Sequence, residues 1–365
     1  MKQIALGMVG GGQGAFIGGV HRIAARLDGR FRLVAGALSS TPERSAASAA
    51  ELGLERSYGD WAEMAREEAA RPDGIEAVAI VTPNHLHFGP AKAFLEAGIH
   101  VICDKPMTAT LDEALKLRSI AEQSDALFIL THTYAGYPML REARRLVASG
   151  ALGKLRLANV EYVQDWLAAP ETGKQAAWRG DPKQAGTGAI GDIGTHAAHL
   201  ARFVTGLSIE AVSAEMHSFV EGRQVDDNIH VMLRMAEGVR GMLWASQVSV
   251  GFDNDIRLRV VGDKAGLEWC HDRPEELRFT RLGEPTQILT RGGPGYAGKS
   301  RVPGGHPEGF LEAFASLYTD AADAIEAGAL PSGLPGVQEG VQGLRFIDAC
   351  LKSHAEDGRW TLVVD

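Results

Sequence analysis

Ile4-Ala5-Leu6-Gly7-Met8-Val9, followed at once by Gly10-Gly11-Gly12-Gln13-Gly14-Ala15-Phe16-Ile17, is the stretch from which the fold of this 365-residue chain can be read. The first six residues form an apolar, strand-like run. The glycines behind it fit the G-x-G-x-x-A pattern at Gly10, Gly12 and Ala15, ahead of a helical segment. A strand that runs through such a turn into a helix is where a dinucleotide pyrophosphate binds. Glycine lets the backbone approach the phosphates, and the N–H groups at the helix start supply donors and the positive end of the dipole. Gly10, Gly12, Gln13, Gly14, Ala15, Phe16 and Ile17 are therefore cofactor-contacting candidates. Taken without its surroundings, the same pattern also fits a plain tight strand-to-helix turn.

The surroundings decide for the first reading. Leu33–Leu38, Ala77–Val81, His100–Cys103 and Leu127–Thr131 are further strand candidates, and helical patterns fill the gaps, one of them opened by Thr41 as N-cap and Pro42 behind it. Strict alternation of this kind predicts a parallel, doubly wound sheet over residues 1–132, a dinucleotide-binding domain of α/β class. After residue 133 the pattern changes. One helix, Met139–Ala148, precedes longer β-like runs at Leu155–Val163, Ile209–Phe219, Ile229–Met235, Val239–Val250 and Ile256–Val261, joined by turn residues. This predicts a second α/β domain over 133–365 with a large, mostly antiparallel open sheet, responsible for substrate binding and oligomerisation. Arg281–Pro307 reads as a long surface loop, and Glu308–Ala327 and Gly336–Ser353 return to helical spacing.

Composition narrows the partners. A net charge of −9 disfavours nucleic acid or an anionic membrane surface and fits a small organic substrate better. The three cysteines, Cys103, Cys270 and Cys350, are scattered and show no CxxC spacing, so neither a disulfide framework nor a zinc site is indicated. Residues 1–9 are too short an apolar run for a signal peptide, and no apolar stretch reaches the ~20 residues that span a bilayer. The expected compartment is the cytoplasm.

A carboxylate closing the second strand would accept from the ribose hydroxyls of NAD and repel the 2′-phosphate of NADP. Here the strand ends Leu38-Ser39-Ser40, with Arg44 one turn into the next helix. Ser39 and Ser40 bonding the ribose of NAD, and Arg44 holding a 2′-phosphate, are both compatible with this pattern, so NAD is expected with NADP left open.

Three blocks carry chemistry. Cys103-Asp104-Lys105-Pro106 closes an apolar strand, which places Lys105 at the carboxyl edge where ligands of open parallel sheets sit. Thr82, Asn84 and His87 follow the strand Ala77–Val81 at the same edge and can face a nicotinamide; His87 reads equally as a residue satisfied by backbone. In Gly188–His196, Asp192 and His196 lie four apart and share a face if the segment is helical, so an imidazole can take a hydroxyl proton while the carboxylate orients it or a second hydroxyl. Asp192, His196 and His199 have tolerable spacing for a metal but no evident fourth ligand, and no metal is expected. Gln164 and Trp166, at the end of a strand, and Arg179 and His306 are candidates for substrate recognition.

Together these blocks resemble the glucose–fructose oxidoreductase / inositol dehydrogenase / MocA family over nearly the whole chain, with Asp104 in place of the family's usual Glu and with Trp178-Arg179 similar to its W-R element near the nicotinamide. The resemblance implies a Rossmann domain with a C-terminal open-sheet domain. It also implies that Lys105 and His196 handle the proton and that Asp192 holds a substrate hydroxyl, while Thr82, Asn84, His87, Asp104, Lys105, Trp178 and Arg179 lie along the cofactor. The implied activity is NAD(P)-dependent oxidation of a secondary hydroxyl of a cyclitol or pyranose sugar by a homodimer or homotetramer. An NAD-assisted glycosidase and a non-catalytic dinucleotide-binding sensor are the alternatives.

Overall fold

The computed structural model describes residues 3–170 and 187–363. Its residues group into two compact units, Met1–Gly136 with Phe310–Val341, and Tyr137–Gly309 with Gln342–Asp365. The observed grouping differs from the sequence division at 132/133 in two respects: the first boundary lies at Gly136/Tyr137, and the segment Phe310–Val341 returns to the first unit.

The first unit is built on β1 (Ile4–Gly10), β2 (Phe31–Ala37), β3 (Arg56–Ser57), β4 (Ala77–Val81), β5 (His100–Cys103) and β6 (Phe128–Leu130), ordered β3-β2-β1-β4-β5-β6. The pairings are all parallel. This is the doubly wound order in which a crevice opens where the strand sequence reverses, beside β1 and β4. Between the strands run α1 (Phe16–Leu27), α2 (Pro42–Leu52), α3 (Trp61–Ala70), α4 (Phe88–Glu96) and α5 (Leu111–Gln123). Every residue of β4 is buried, as a central strand covered on both faces requires. β3 has only two residues, too short to leave a periodic signal.

The segment that returns is α8 (Phe310–Ala327), which packs on α1. Its contact is polar at one point: Nδ1 of the buried His21 lies 2.8 Å from the hydroxyl of Tyr318. Burial pushes the pKa of His21 down to about 4 and that of the Tyr318 phenol up.

The second unit carries α6 (Pro138–Ala148), β7 (Leu155–Val163), α7 (Thr195–Thr205) and β8–β15, namely Ile209–His217, Asn228–Met235, Arg240–Ser246, Asp255–Gly262, Ala265–Cys270, Glu276–Arg281, Gln287–Thr290 and Thr361–Leu362. Its nine strands run β14-β13-β12-β11-β7-β10-β9-β8-β15. Among its pairings β7 with β10 is parallel and the others are antiparallel. One face, including Val160, Leu243, Val231 and Leu258, is buried with α6 and α7 against the sheet. The opposite face leaves Leu157, Met232, Met242 and Val261 exposed. The boundary between the units falls within α9 (Val337–Ala355).

The expected loop Arg281–Pro307 is only partly one, because Gln287–Thr290 pairs with β13. Next to it Arg291, whose side chain is fully buried, bonds Glu275 at 2.6 and 2.9 Å and also reaches Glu308 at 3.2 Å. Those ion pairs join glycine-rich segments that sequence periodicity leaves blank. Among the described residues, no helix is long and apolar enough to cross a membrane.

Candidate functional site

In the first unit the turn after β1 is shaped by glycines. Gly10, Gly11 and Gly14 adopt φ of 78°, 73° and 75°, the left-handed region that side chains disfavour. Gly12 is held by its N–H to Leu38 O at 3.1 Å, and a Cβ there would stand 2.6 Å from that oxygen and 2.8 Å from Ser48 Oγ. Gly18, rather than Ala15, gives the close approach of the helix to the turn, since a Cβ on it would meet Gly11 Cα at 2.4 Å. Ala15 is the N-cap of α1 and has no side-chain capping bond. A cavity of about 350 Å³ opens here, lined by Gly12, Gln13, Gly14, Ala15, Phe16, Arg22, Ser48, Glu51 and Leu52.

The residues fit a dinucleotide. Backbone is bare where a pyrophosphate would lie, the helix start carries no side-chain cap, and the hydroxyl of Thr82, beside Gly10, is buried with no protein partner. Two contributors escaped the sequence reading: Arg22, which donates to Gly11 O, and Ser48, which accepts from Gln13 N at 3.2 Å. Both act through tertiary contact and belong to no motif. At the end of β2, Ser45 Oγ accepts from Leu38 N, Ser39 is half-buried, and Ser40 and Arg44 are exposed. No carboxylate closes this strand.

The carboxyl edge of β4 and β5 carries Thr82 and Asn84, both half-buried, and Lys105, also half-buried. Asp104 Oδ1 accepts from the backbone N–H of Lys105 at 2.8 Å and from Thr131 Oγ1 at 3.2 Å, and the Lys105–Pro106 peptide is cis. His87, expected beside the nicotinamide, is fully buried: Nδ1 lies 2.8 Å from Pro106 O and Nε2 2.8 Å from Thr82 O. It ties the loop after β5 to the loop after β4, so its ring steadies the backbone that presents Lys105. Burial lowers its pKa, against the opposing pull of Asp104 and the two carbonyls.

In the second unit, Asp192 lies in a single π-turn, Ile190–Gly194, that feeds into α7, so the segment is wider than the α-helix assumed from the i, i+4 spacing. The start of the segment is capped from outside it. The carboxylate of Asp226 accepts from the N–H of Gly188 at 2.8 Å and of Ile190 at 2.7 Å, and Asp226 O accepts from Ala189 N at 2.9 Å. Gly188 is needed because a Cβ would be 1.7 Å from Asp226 O. Burial raises the pKa of Asp226, an effect its backbone donors oppose.

Asp192 Oδ2 accepts from Gln247 Nε2 at 2.9 Å. His196 is buried, with the Tyr162 ring 6.1 Å away, while His199 stacks on Phe203. Gln164 and Trp166 are linked by an indole N–H to amide oxygen bond of 3.0 Å, and Gln164 also donates to Asn254. His306 is exposed, its carbonyl accepting from Arg291. Trp178 and Arg179 lie outside the described residues. Among the described residues, the side chains close enough to share an ion are Asp255, Cys270 and Asp272, within 4.8 Å of one another. Arg257 stands 3.6 Å from Cys270 Sγ and 3.8 Å from Asp255, a competing cation.

Residues 4–132 match the family described as oxidoreductase family, NAD-binding Rossmann fold, and residues 140–268 match the GFO/IDH/MocA C-terminal domain. The chain is similar to the crystal structure of an oxidoreductase from Sinorhizobium meliloti, with 51% identity, 99% of both chains covered and a TM-score of 0.91. An inositol dehydrogenase homolog from Azotobacter vinelandii, complexed with NADH and myo-inositol, shares 37% identity over 99% of this chain and 98% of that one, with a TM-score of 0.92. Levoglucosan dehydrogenase of Pseudarthrobacter phenanthrenivorans is 30% identical over 76% of each protein.

Proposed function

The chain belongs to the GFO/IDH/MocA family of oxidoreductases, and from that premise we propose that it oxidises a secondary hydroxyl of a cyclitol or a pyranose sugar. The observation that carries this reading is that the proton-handling set the family resemblance implies is complete, with Lys105, Asp192 and His196 all present. A relative complexed with myo-inositol and another named for levoglucosan support a polyol or sugar substrate.

A bound nicotinamide supplies the hydride acceptor at its C4. In this reading His196 would take the hydroxyl proton and Lys105 would polarise the hydroxyl oxygen. Asp192 holds a second hydroxyl. NAD is the cofactor of this reading, held at Gly10–Ile17, Ser39, Ser40, Thr82 and Asn84, with Arg44 available to a 2′-phosphate. The exposed sheet face bearing Leu157, Met232, Met242 and Val261 is assigned to a second copy of the chain in a dimer or tetramer, which light scattering reads directly.

The test mixes the purified protein with NAD+ or NADP+ and with myo-inositol, scyllo-inositol, levoglucosan, hexoses and aryl glycosides, following absorbance at 340 nm and sugar release together. Reduction of cofactor by a polyol or sugar is the expected result. Sugar release without net reduction would assign a glycosidase, and neither signal across the panel would assign a sensor.

A further inference from the structure

Gln247 belongs to none of the sequence motifs, yet its side chain meets Asp192. It follows β10 directly, is 2% exposed, and donates Nε2–H to Asp192 Oδ2 at 2.9 Å. Its own backbone N–H donates to Asp227 O at 2.8 Å, so the residue that grips Asp192 is itself anchored to the start of β9. Asp227 is in turn fixed: its carboxylate accepts from the N–H groups of Phe219 and Val220 and from Arg223 at 2.9 Å. The neighbouring Asp226 holds the π-turn from its other side through Gly188 and Ile190.

We infer that Gln247 is a positioning residue for the reaction, one that fixes the rotamer of Asp192 so that its carboxylate is presented as an acceptor for substrate. The inference rests on the assignment of Asp192 made above. An aspartate side chain turns about two torsions, and a substrate hydroxyl is held in register only where these are fixed; the Gln247 amide is one contact that fixes them. A neutral amide does this without neutralising the charge. A lysine or arginine in its place would pair with the carboxylate and compete with the substrate for it.

Two variants test this. Gln247→Leu keeps the volume but removes the donor. Its turnover of myo-inositol or levoglucosan, whichever the panel favours, is expected to fall about 10- to 100-fold, with NADH affinity and melting temperature close to those of the parent.

Gln247→Glu is nearly isosteric and sets a carboxyl against Asp192, so the two must share a proton at low pH and repel once it is lost. The other ionisable groups on the adjoining segments are His196, Asp226 and the Arg223–Asp227 pair, all common to parent and variant. The ratio of variant to parent rate is therefore expected to fall as pH rises.

A crystal structure of Gln247→Leu gives a readout that needs no substrate, with the Asp192 carboxylate expected to leave its parental rotamer. An unmoved Asp192, or rates within twofold of the parent at every pH while Asp192→Asn is inactive, overturns the inference and leaves the assignment of Asp192 standing. A near-normal rate for Asp192→Asn overturns both.

Discussion

The glycine turn of the first unit and the π-turn of the second are both short segments ahead of a helix, but they hold their shapes by opposite means. Gly10–Ala15 is shaped largely by what its residues lack: positive φ at Gly10, Gly11 and Gly14, and the absence of a Cβ at Gly12 where Leu38 O would block it. Ile190–Gly194 is shaped by what reaches it from elsewhere, the carboxylate of Asp226 at its start and the amide of Gln247 on Asp192. Backbone freedom is a local property and is written in consecutive letters. A side chain arriving from 36 or 55 residues away is not.

The largest expected effect tests the edge of the first unit. Lys105→Ala should lower turnover by about 100-fold or more while leaving dinucleotide affinity nearly unchanged, as follows when a proton-handling group is lost from an intact cofactor cradle. Absorbance at 340 nm and fluorescence titration with NADH measure the two quantities. A near-normal rate removes Lys105 from the mechanism.

The next effect tests whether the second turn depends on its distant clamp. Asp226→Ala leaves the N–H groups of Gly188 and Ile190 without their acceptor and should cost about 3 kcal/mol of stability, since each buried unpaired donor costs about 1–3 kcal/mol. Thermal unfolding measures the loss, and NADH titration should still report an intact glycine turn. Loss of dinucleotide binding together with stability would show that the two turns are not independent.

A smaller effect is confined to the first unit. The folded-state pKa of His21 is depressed from 6.5 to about 4, so as pH falls below 6.5 the unfolded chain takes up a proton that the folded chain refuses. Stability is full above the unfolded pKa and drains away as pH falls toward 4, by about 2 kcal/mol at pH 5. Melting temperatures of the parent and His21→Gln, compared at pH 7.5 and pH 5, isolate this contribution. An equal drop in both would show that His21 does not carry it.

Periodicity placed Ala77–Val81, His100–Cys103 and Leu155–Val163 at their observed bounds, because long apolar or alternating runs have one low-energy pattern of burial. It missed β3 and β15, with two residues each, β12 and β13, and β14, whose segment Gln287–Thr290 is largely exposed and is recognisable as a strand only from its partner β13. His87 was legible as a residue of the β4 loop, but its use as a tie between Thr82 and Pro106 was not.

What the amino-acid order determined alone is the α/β alternation, the glycine turn, and the identity of Lys105, Asp192 and His196 as chemically capable groups. These follow from backbone sterics, burial periodicity and side-chain chemistry, all of which act over a few residues. Only the tertiary structure decided that Arg22 and Ser48 brace the first turn and that Asp226 and Gln247 brace the second. The reason is physical: a hydrogen bond between segments far apart in the chain depends on where the sheet brings them, and no local pattern encodes that distance.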